Sequence, residues 1–317
     1  MSNQNEIRKS VTEKIVASLR AGSPPWRRPW SDLENCGFPA NAVSRRSYRG
    51  VNPWLLQIVA QQRSYQSRWW ATFNQWRGMG FQIKKRPDDV APGAYGSKVV
   101  LFKPITKSKK ADDGEEKTSK FFVLREFVVF NAEQVTGPGI EKYLAHPKAP
   151  STFIDCERAE QVMAATGAVI QHGGGSAFYR PADDFIQMPP KNAFSKPHEY
   201  YSVAAHELTH WTGAKSRLNR LDTLARFGSE SYAIEELIAE LGAAFLSAEL
   251  GIPQSDDLSN VTAYLAHWLA VLEKDVTAIF TASSAASKAV DFILAFSEKR
   301  TEADDEAEPV ELVGGVA

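Results

Sequence analysis

Apolar positions in the first stretch of the chain recur every fourth residue. Ile7, Val11, Ile15 and Leu19 form one stripe, which predicts an amphipathic helix over 5–21, stopped by Gly22, Pro24 and Pro25. A polar, turn-rich stretch follows. Residues 53–63 predict a second helix with Pro53 in its first turn. Trp70 to Arg77 predicts a third, ended by Gly78 and Gly80. The periodicity then changes. Phe81 to Ile83 alternates, and Lys98 to Phe102 and Phe121 to Phe130 are β-rich runs. The charged segment Lys107 to Lys120 between the last two predicts a mobile hairpin loop.

Thr136 to Ser151 carries three prolines and two glycines and marks a domain boundary. Beyond it the pattern predicts a helix near Cys156 to Thr166, then short strands at Ala168 to Ile170 and Asp184 to Met188. Helices follow over 197–212, 230–250, 259–280 and 283–298, and an acidic tail runs from Glu302. The fold class that results is α+β with two domains. A mixed α/β domain spans 1–140, a linker 141–151, and a mainly helical domain with a small sheet 152–299, before a disordered tail over 300–317. At 317 residues the chain is long enough for two separate cores.

Composition adds three exclusions. No stretch approaches the ~20 apolar residues of a membrane span. Met1 to Arg20 has no apolar signal core, and Cys36 and Cys156 make no disulfide framework. A cytoplasmic protein is the expectation. The net charge of −1 hides a polarity. Residues 1–149 hold 25 Lys and Arg against 13 Asp and Glu, a balance of +12; the remainder holds 12 against 25, a balance of −13. Six of the eight tryptophans accompany the positive half.

The sharpest chemical signal is His206-Glu207-Leu208-Thr209-His210. On a helix, histidines four apart project from one face and can share a cation, and Glu207 is placed to act as general base toward an activated water. Catalytic zinc usually takes three protein ligands. The helix over 230–250 offers Glu235, Glu236 and Glu240 among core-forming Leu237, Leu241 and Phe245. Glu236 and Glu240 share a face. Glu236 is assigned as ligand, Glu240 as acceptor from a histidine ring N–H, and Glu235 as a solvated residue. Ser195 is expected to cap the histidine helix, and Gly213 to end it. Asp184 to Met188 is the expected edge strand for an extended peptide. Tyr200, Tyr201 and His172 are candidate oxyanion donors. Zn2+ is the expected ion, and two imidazoles and a carboxylate also accept Mn2+ or Co2+.

In the positive half, cations and aromatics interleave: Trp26, Arg27, Arg28 and Trp30; Arg45, Arg46, Tyr48 and Arg49; Trp70; Lys84 and Lys85; the polar Asn52 joins them as a candidate DNA contact. Bases stack on aromatic rings while cations follow the backbone, so this mixture suits single-stranded DNA with little sequence preference. Trp54, Phe73 and Trp76 are assigned to the core.

The chain resembles the ArdC-type antirestriction proteins of conjugative plasmids over roughly residues 5–298. The first half carries the resemblance in Trp26-Arg27-Arg28-Pro29-Trp30, Pro39-Ala40-Asn41, Ser47-Tyr48-Arg49-Gly50-Val51-Asn52 and Trp70-Ala71-Thr72-Phe73-Asn74-Gln75. The second carries it in Thr166-Gly167-Ala168, His206 to Gly213, Ser216-Arg217-Leu218-Asn219-Arg220 and Tyr232 to Leu241. The Lys-Gly-Glu-Lys-Gly-like turn usual in that family is replaced here by Lys84-Lys85-Arg86-Pro87. The resemblance implies an N-terminal single-stranded-DNA-binding domain, a C-terminal zincin-like domain, and protection of incoming plasmid DNA from host restriction. Two alternatives stay open. The chain could be a zinc metallopeptidase localised by DNA binding, acting on a restriction enzyme or another protein. It could also be a non-enzymatic inhibitor of restriction enzymes, stapled by its metal.

Overall fold

A computed structural model describes residues 4–26, 33–110, 116–147, 157–221, 230–253 and 259–297. Arg27, Arg28, Trp30 and the expected acidic tail lie outside the described residues, as does most of the expected linker's end. Helix α1 (Gln4–Arg20) buries the whole stripe Ile7, Val11, Ile15 and Leu19. Strands β1 (Leu33–Glu34) and β2 (Ala40–Asn41) lead to α2 (Asn52–Gln62), where Pro53 occupies the first turn as its missing N–H allows.

The third expected helix is only half helix. Trp69–Thr72 is strand β3, and α3 (Phe73–Gly78) begins after it. Thr72 explains the break. Its hydroxyl accepts from Gln75 N–H, and the Gln75 side chain reaches back to Thr72 N–H, a reciprocal cap that fixes the helix start. Strands β4 (Gln82–Ile83), β5 (Ser97–Lys110), β6 (Glu116–Asn131), β7 (Val135–Thr136) and β8 (His146–Pro147) complete the first half. The sheet order is β2-β3-β6-β5. The expected loop from Lys107 to Lys120 is mostly ladder: β5 and β6 stay in antiparallel register as far as Lys110 and Glu116. Alternating Lys, Ser and Thr continue the strand, because backbone pairing does not require apolar side chains.

The second half holds α4 (Glu157–Ala165), strands β9 (Val169–His172), β10 (Phe178–Arg180) and β11 (Phe185–Met188), and helices α5 (Pro197–Trp211), α6 (Glu230–Leu250), α7 (Ser259–Lys274) and α8 (Ala278–Leu294). The last two differ from expectation. Asp275 accepts from Thr277 N–H and hydroxyl, which ends one helix and starts the next earlier. The three-stranded sheet is ordered β10-β11-β9. Asp184 to Met188 therefore leads into the central strand, with β9 and the unexpected β10 at the two edges.

The two halves do not keep separate cores. One apolar cluster joins Trp26, Phe38 and Trp54 from the first half to Phe245, Trp268 and Ile279 from the second. Trp26 meets Trp54 and Trp268 edge-on, at centroid distances of 6.2 and 5.9 Å. The Trp54 indole N–H donates to Ser283 Oγ at 3.1 Å. Opposite charges cross the same boundary, in Arg20–Glu273 at 2.7 Å and Arg49–Asp291 at 3.0 Å. Among the described residues, no helix is long and apolar enough to cross a membrane.

Helices α5 and α6 approach closely because Gly242 faces Thr209. A Cβ at Gly242 would lie 2.5 Å from both Thr209 Cγ2 and Oγ1. Gly242→Ala should cost about 1–3 kcal/mol in urea denaturation by pushing the helices apart, and adding Thr209→Ala should recover part of that loss. Trp26→Ala should cost about 3–5 kcal/mol in the same measurement.

Candidate metal centre

Helix α5 starts at Pro197. Lys196, rather than Ser195, sits at its N-cap, and the Glu199 carboxylate accepts from Lys196 N–H at 3.2 Å. A glutamate three residues into a helix satisfies the same exposed amides that a serine would. Gly213 follows the helix end, but for space and not for a left-handed turn: a Cβ there would lie 2.8 Å from Leu221 Cγ and 3.0 Å from His210 O. From α5, His206 and His210 project toward α6 with their Nε2 atoms 3.2 Å apart.

Glu236 meets both rings. Its Oε2 lies 3.6 Å from His206 Nε2, and its Oε1 lies 3.6 Å from His210 Nε2. Tetrahedral coordination with bonds of ~2.0–2.1 Å separates ligand atoms by roughly 3.3 Å, so the donor set fits a divalent cation with little movement. Among the described residues, these three bring their donor atoms within 4.8 Å of one another.

Behind each ring stands a further carboxylate. Glu240 Oε2 lies 3.8 Å from His206 Nδ1. Glu235 Oε1 lies 3.3 Å from His210 Nδ1. Glu235 was expected in solvent; it is 5% exposed, and Arg220 brackets it with Nη2 and Nε at 3.0 and 3.1 Å from its two oxygens. Its position beside Glu236 on α6 hid this role, because a guanidinium distant in sequence makes its burial tolerable. Arg220 also donates to Thr209 O at 2.7 Å and to Thr212 Oγ1 at 3.0 Å, which fixes the end of α5.

The electrostatics follow from this packing. Burial alone would lower the His206 imidazole, but Glu236 and Glu240 push it up to about 10. Burial would raise the Glu235 and Glu236 carboxyls. His210 and Arg220 hold the first below its usual value, and His206 holds the second. The centre thus favours positive charge strongly.

These groups line a cavity of about 760 Å³, together with Glu207, which is 7% exposed. The edge strand β10 contributes Phe178 and Tyr179 to its wall. Tyr200 and Tyr201 do not reach it: both are buried, the first sharing a hydrogen bond with His172 Nε2 at 2.9 Å and the second donating to Glu160 at 2.8 Å. Besides Tyr179, the cavity is lined by Tyr232 and Tyr264, with hydroxyls 3.1 Å apart and both phenols raised by burial. The chain signal for Tyr232 was its place one turn before Glu236 on the same helix. Arg217 joins the walls. It donates to Asp184 at 3.0 Å, to Tyr179 OH at 3.0 Å and to Trp211 O at 2.6 Å, tying the sheet to α5.

The residues expected to contact DNA are dispersed. Trp26 and Trp70 are wholly buried, which removes both as stacking platforms; indole area on this scale is hidden in cores. Phe73, expected in the core, is 50% exposed, because the cap at Thr72 turns the first helical residue outward. Asn52 accepts from Val100 N–H at 2.7 Å and donates to Val100 O at 2.8 Å, so its amide pins α2 to β5. Tyr48 is half-buried, and burial pushes its phenol up to about 12. Arg45, Arg46 and Arg49 are exposed. The Arg45 guanidinium lies 4.6 Å from the Trp69 ring centroid and 4.8 Å from that of Tyr143. Lys84 donates to Glu133 O at 2.8 Å, and Lys85 stands in solvent near Asp88.

Residues 157–285 match the zincin-like metallopeptidase family, and residues 5–130 match the N-terminal domain of anti-restriction factor ArdC. The metal-free crystal structure of antirestriction protein ArdC from plasmid R388 is similar with a TM-score of 0.73 and 38% identity, over 92% of this chain and 97% of that one. The Mn(II)-bound crystal structure of ArdC from that plasmid gives a TM-score of 0.69 and 35% identity, over 93% and 99%. DNA primase TraC of Escherichia coli is 35% identical over 95% of this chain, which spans only 21% of the primase's length. With the histidine pair, the buried glutamates and both halves accounted for, the chain belongs to the ArdC family of antirestriction proteins.

Proposed function

We propose that this chain binds single-stranded DNA with little sequence preference, protects incoming plasmid DNA from restriction, and holds a divalent cation on His206, His210 and Glu236. The observation that carries the metal reading is the convergence of two Nε2 atoms and one carboxylate in a cavity that also contains Glu207. Zn2+ is the expected ion, and Mn2+ or Co2+ suits the same donors; the Mn(II)-bound ArdC structure supports a divalent cation. The kinship with ArdC and with a DNA primase supports the DNA partner, as does the +12 balance of residues 1–149.

A second reading rests on the cavity wall. Peptide hydrolysis needs a general base, an oxyanion donor and a place for an extended backbone. Glu207 is positioned to take a proton from the attacking water. The paired hydroxyls of Tyr232 and Tyr264, which line the cavity, take the role of donors to a developing oxyanion in this reading, in place of Tyr200 and Tyr201. The edge strand β10 can hold an extended substrate by main-chain pairing. When bound, the cation supplies Lewis acidity to this set. Glu235 and Glu240 orient the two imidazoles through their other nitrogens.

Elemental analysis of the purified chain should find one divalent ion per molecule, reduced by more than about tenfold in His210→Ala and Glu236→Ala. Retention of full metal by Glu236→Ala would remove it from the ligand set. Titration with labelled oligonucleotides should show single strand preferred over duplex, weakening steeply with salt; equal affinity for duplex would sink the single-strand assignment. Glu207→Gln separates the two readings. In transfer of unmodified plasmid into a restricting host, unchanged protection by this variant means that peptide cleavage is not the protective step, while lost protection with intact metal content makes it so.

A further inference from the structure

A second cavity, of about 1140 Å³, opens where the two halves meet. One wall is the segment Ser47 to Asn52, and the opposite wall is α8 between Thr277 and Lys288; β5 closes the floor at Val100 to Phe102, and Arg8 enters from α1. Four cations line it, Arg8, Arg49, Arg220 and Lys288, and no carboxylate does among the described lining residues. Arg220 is committed to Glu235, and Arg49 to Asp291. Arg8 and Lys288 have no acidic partner among the described residues, and Lys288 is exposed. Two cations facing one groove without counter-charge repel each other, and an anion between them relieves that repulsion.

The groove also exposes apolar surface. Leu101 is 48% and Phe102 41% exposed. The Phe102 ring is held edge-on by Phe280 at a centroid distance of 6.0 Å. An aromatic fixed beside cations matches alternating base and phosphate, whereas a protein partner would call for carboxylates and a small ion would not use the ring.

The walls are braced independently of any ligand. Gly50, at φ +62°, takes a left-handed turn that a side chain would strain, and its N–H donates to Ser287 Oγ at 3.2 Å. Asn52 is pinned to Val100 on the next wall. A groove preorganised in this way loses little conformational entropy on binding.

We infer that single-stranded DNA is seated in this junction groove, with phosphates against Arg8 and Lys288 and a base against Phe102, so that both halves of the chain contribute to the DNA site. This inference rests on the single-strand reading above and differs from the sequence expectation, which drew every contact from the first half.

The test uses the full chain, a fluorescein-labelled oligo-dT strand and anisotropy across a salt series. Arg8→Ala with Lys288→Ala should weaken binding by about tenfold or more and flatten the salt slope by roughly 0.7 per lost phosphate contact. Phe102→Ala should weaken binding with the slope unchanged, and Phe102→Tyr should restore it. Thermal unfolding midpoints close to wild type would certify that these surface variants remain folded. If wild type binds the strand while the double variant keeps both affinity and slope, the groove assignment fails and the single-strand reading stands. If wild type binds no strand at all, both fall together.

Discussion

Three buried glutamates on a largely apolar helix impose the constraint on which the second half depends. Glu235, Glu236 and Glu240 are each at most 7% exposed on α6, flanked by Leu237, Leu241 and Phe245. Removing carboxylates from water costs several kcal/mol each unless positive partners and hydrogen bonds offset the loss. The partners come from outside the helix: two imidazoles one turn apart on α5 and a guanidinium from the segment that follows it. Helix α6 can occupy its place only if α5 is near enough for those rings to reach, and Gly242 beneath Thr209 permits that approach. The raised His206 imidazole follows from the same constraint, since Glu236 and Glu240 favour positive charge beside them.

The same accounting of charge applies between the halves. A chain with +12 in one part and −13 in the other has two uses for the imbalance: a polyanionic partner, or attraction between its own parts. Both are visible. Arg20–Glu273 and Arg49–Asp291 join base to acid across the boundary, yet their charged ends are largely exposed, where such pairs contribute about 0–1 kcal/mol. The aromatic cluster of Trp26, Trp54, Phe245 and Trp268 is what binds the halves, and it accounts for tryptophans that the composition alone offered to DNA. Among the described residues of the first half, most of the lysines and arginines face solvent.

The sequence was informative wherever a local period decided the outcome. The stripe from Ile7 to Leu19, the i,i+4 histidines and the bounds of α6 needed only helix geometry. It was less informative wherever a partner lay far along the chain. Nothing near Glu235 announces Arg220, so local sequence alone points to a solvated carboxylate where the fold buries one. Strand β10 is three residues long, too short to show alternation, and missing it moved the edge of the sheet to Asp184–Met188. Trp26 and Trp70 carry no local mark separating a buried ring from an exposed one, because the flanking arginines of an aromatic can lie in solvent while the ring does not. The Ser216 to Arg220 motif was recognisable by resemblance, but its physical role emerged only from where its two guanidiniums go.

Those two guanidiniums explain why that motif holds arginines. Arg217 stacks 4.0 Å from the Trp211 ring centroid and spreads its donors over Asp184, Tyr179 and a helix-terminal carbonyl. Arg220 meets both oxygens of Glu235, the Thr209 carbonyl and the Thr212 hydroxyl at once. A lysine would offer the charge from a single atom and could not span four acceptors in different directions. Arg220 also lines the junction groove, while its neighbour Leu221 lines the metal cavity. One planar side chain therefore reaches from the groove to Glu235, whose Oε1 lies 3.3 Å from His210 Nδ1. The His210 ring is thus contacted from two sides, by the helix that carries it and by a carboxylate held from the segment beyond that helix.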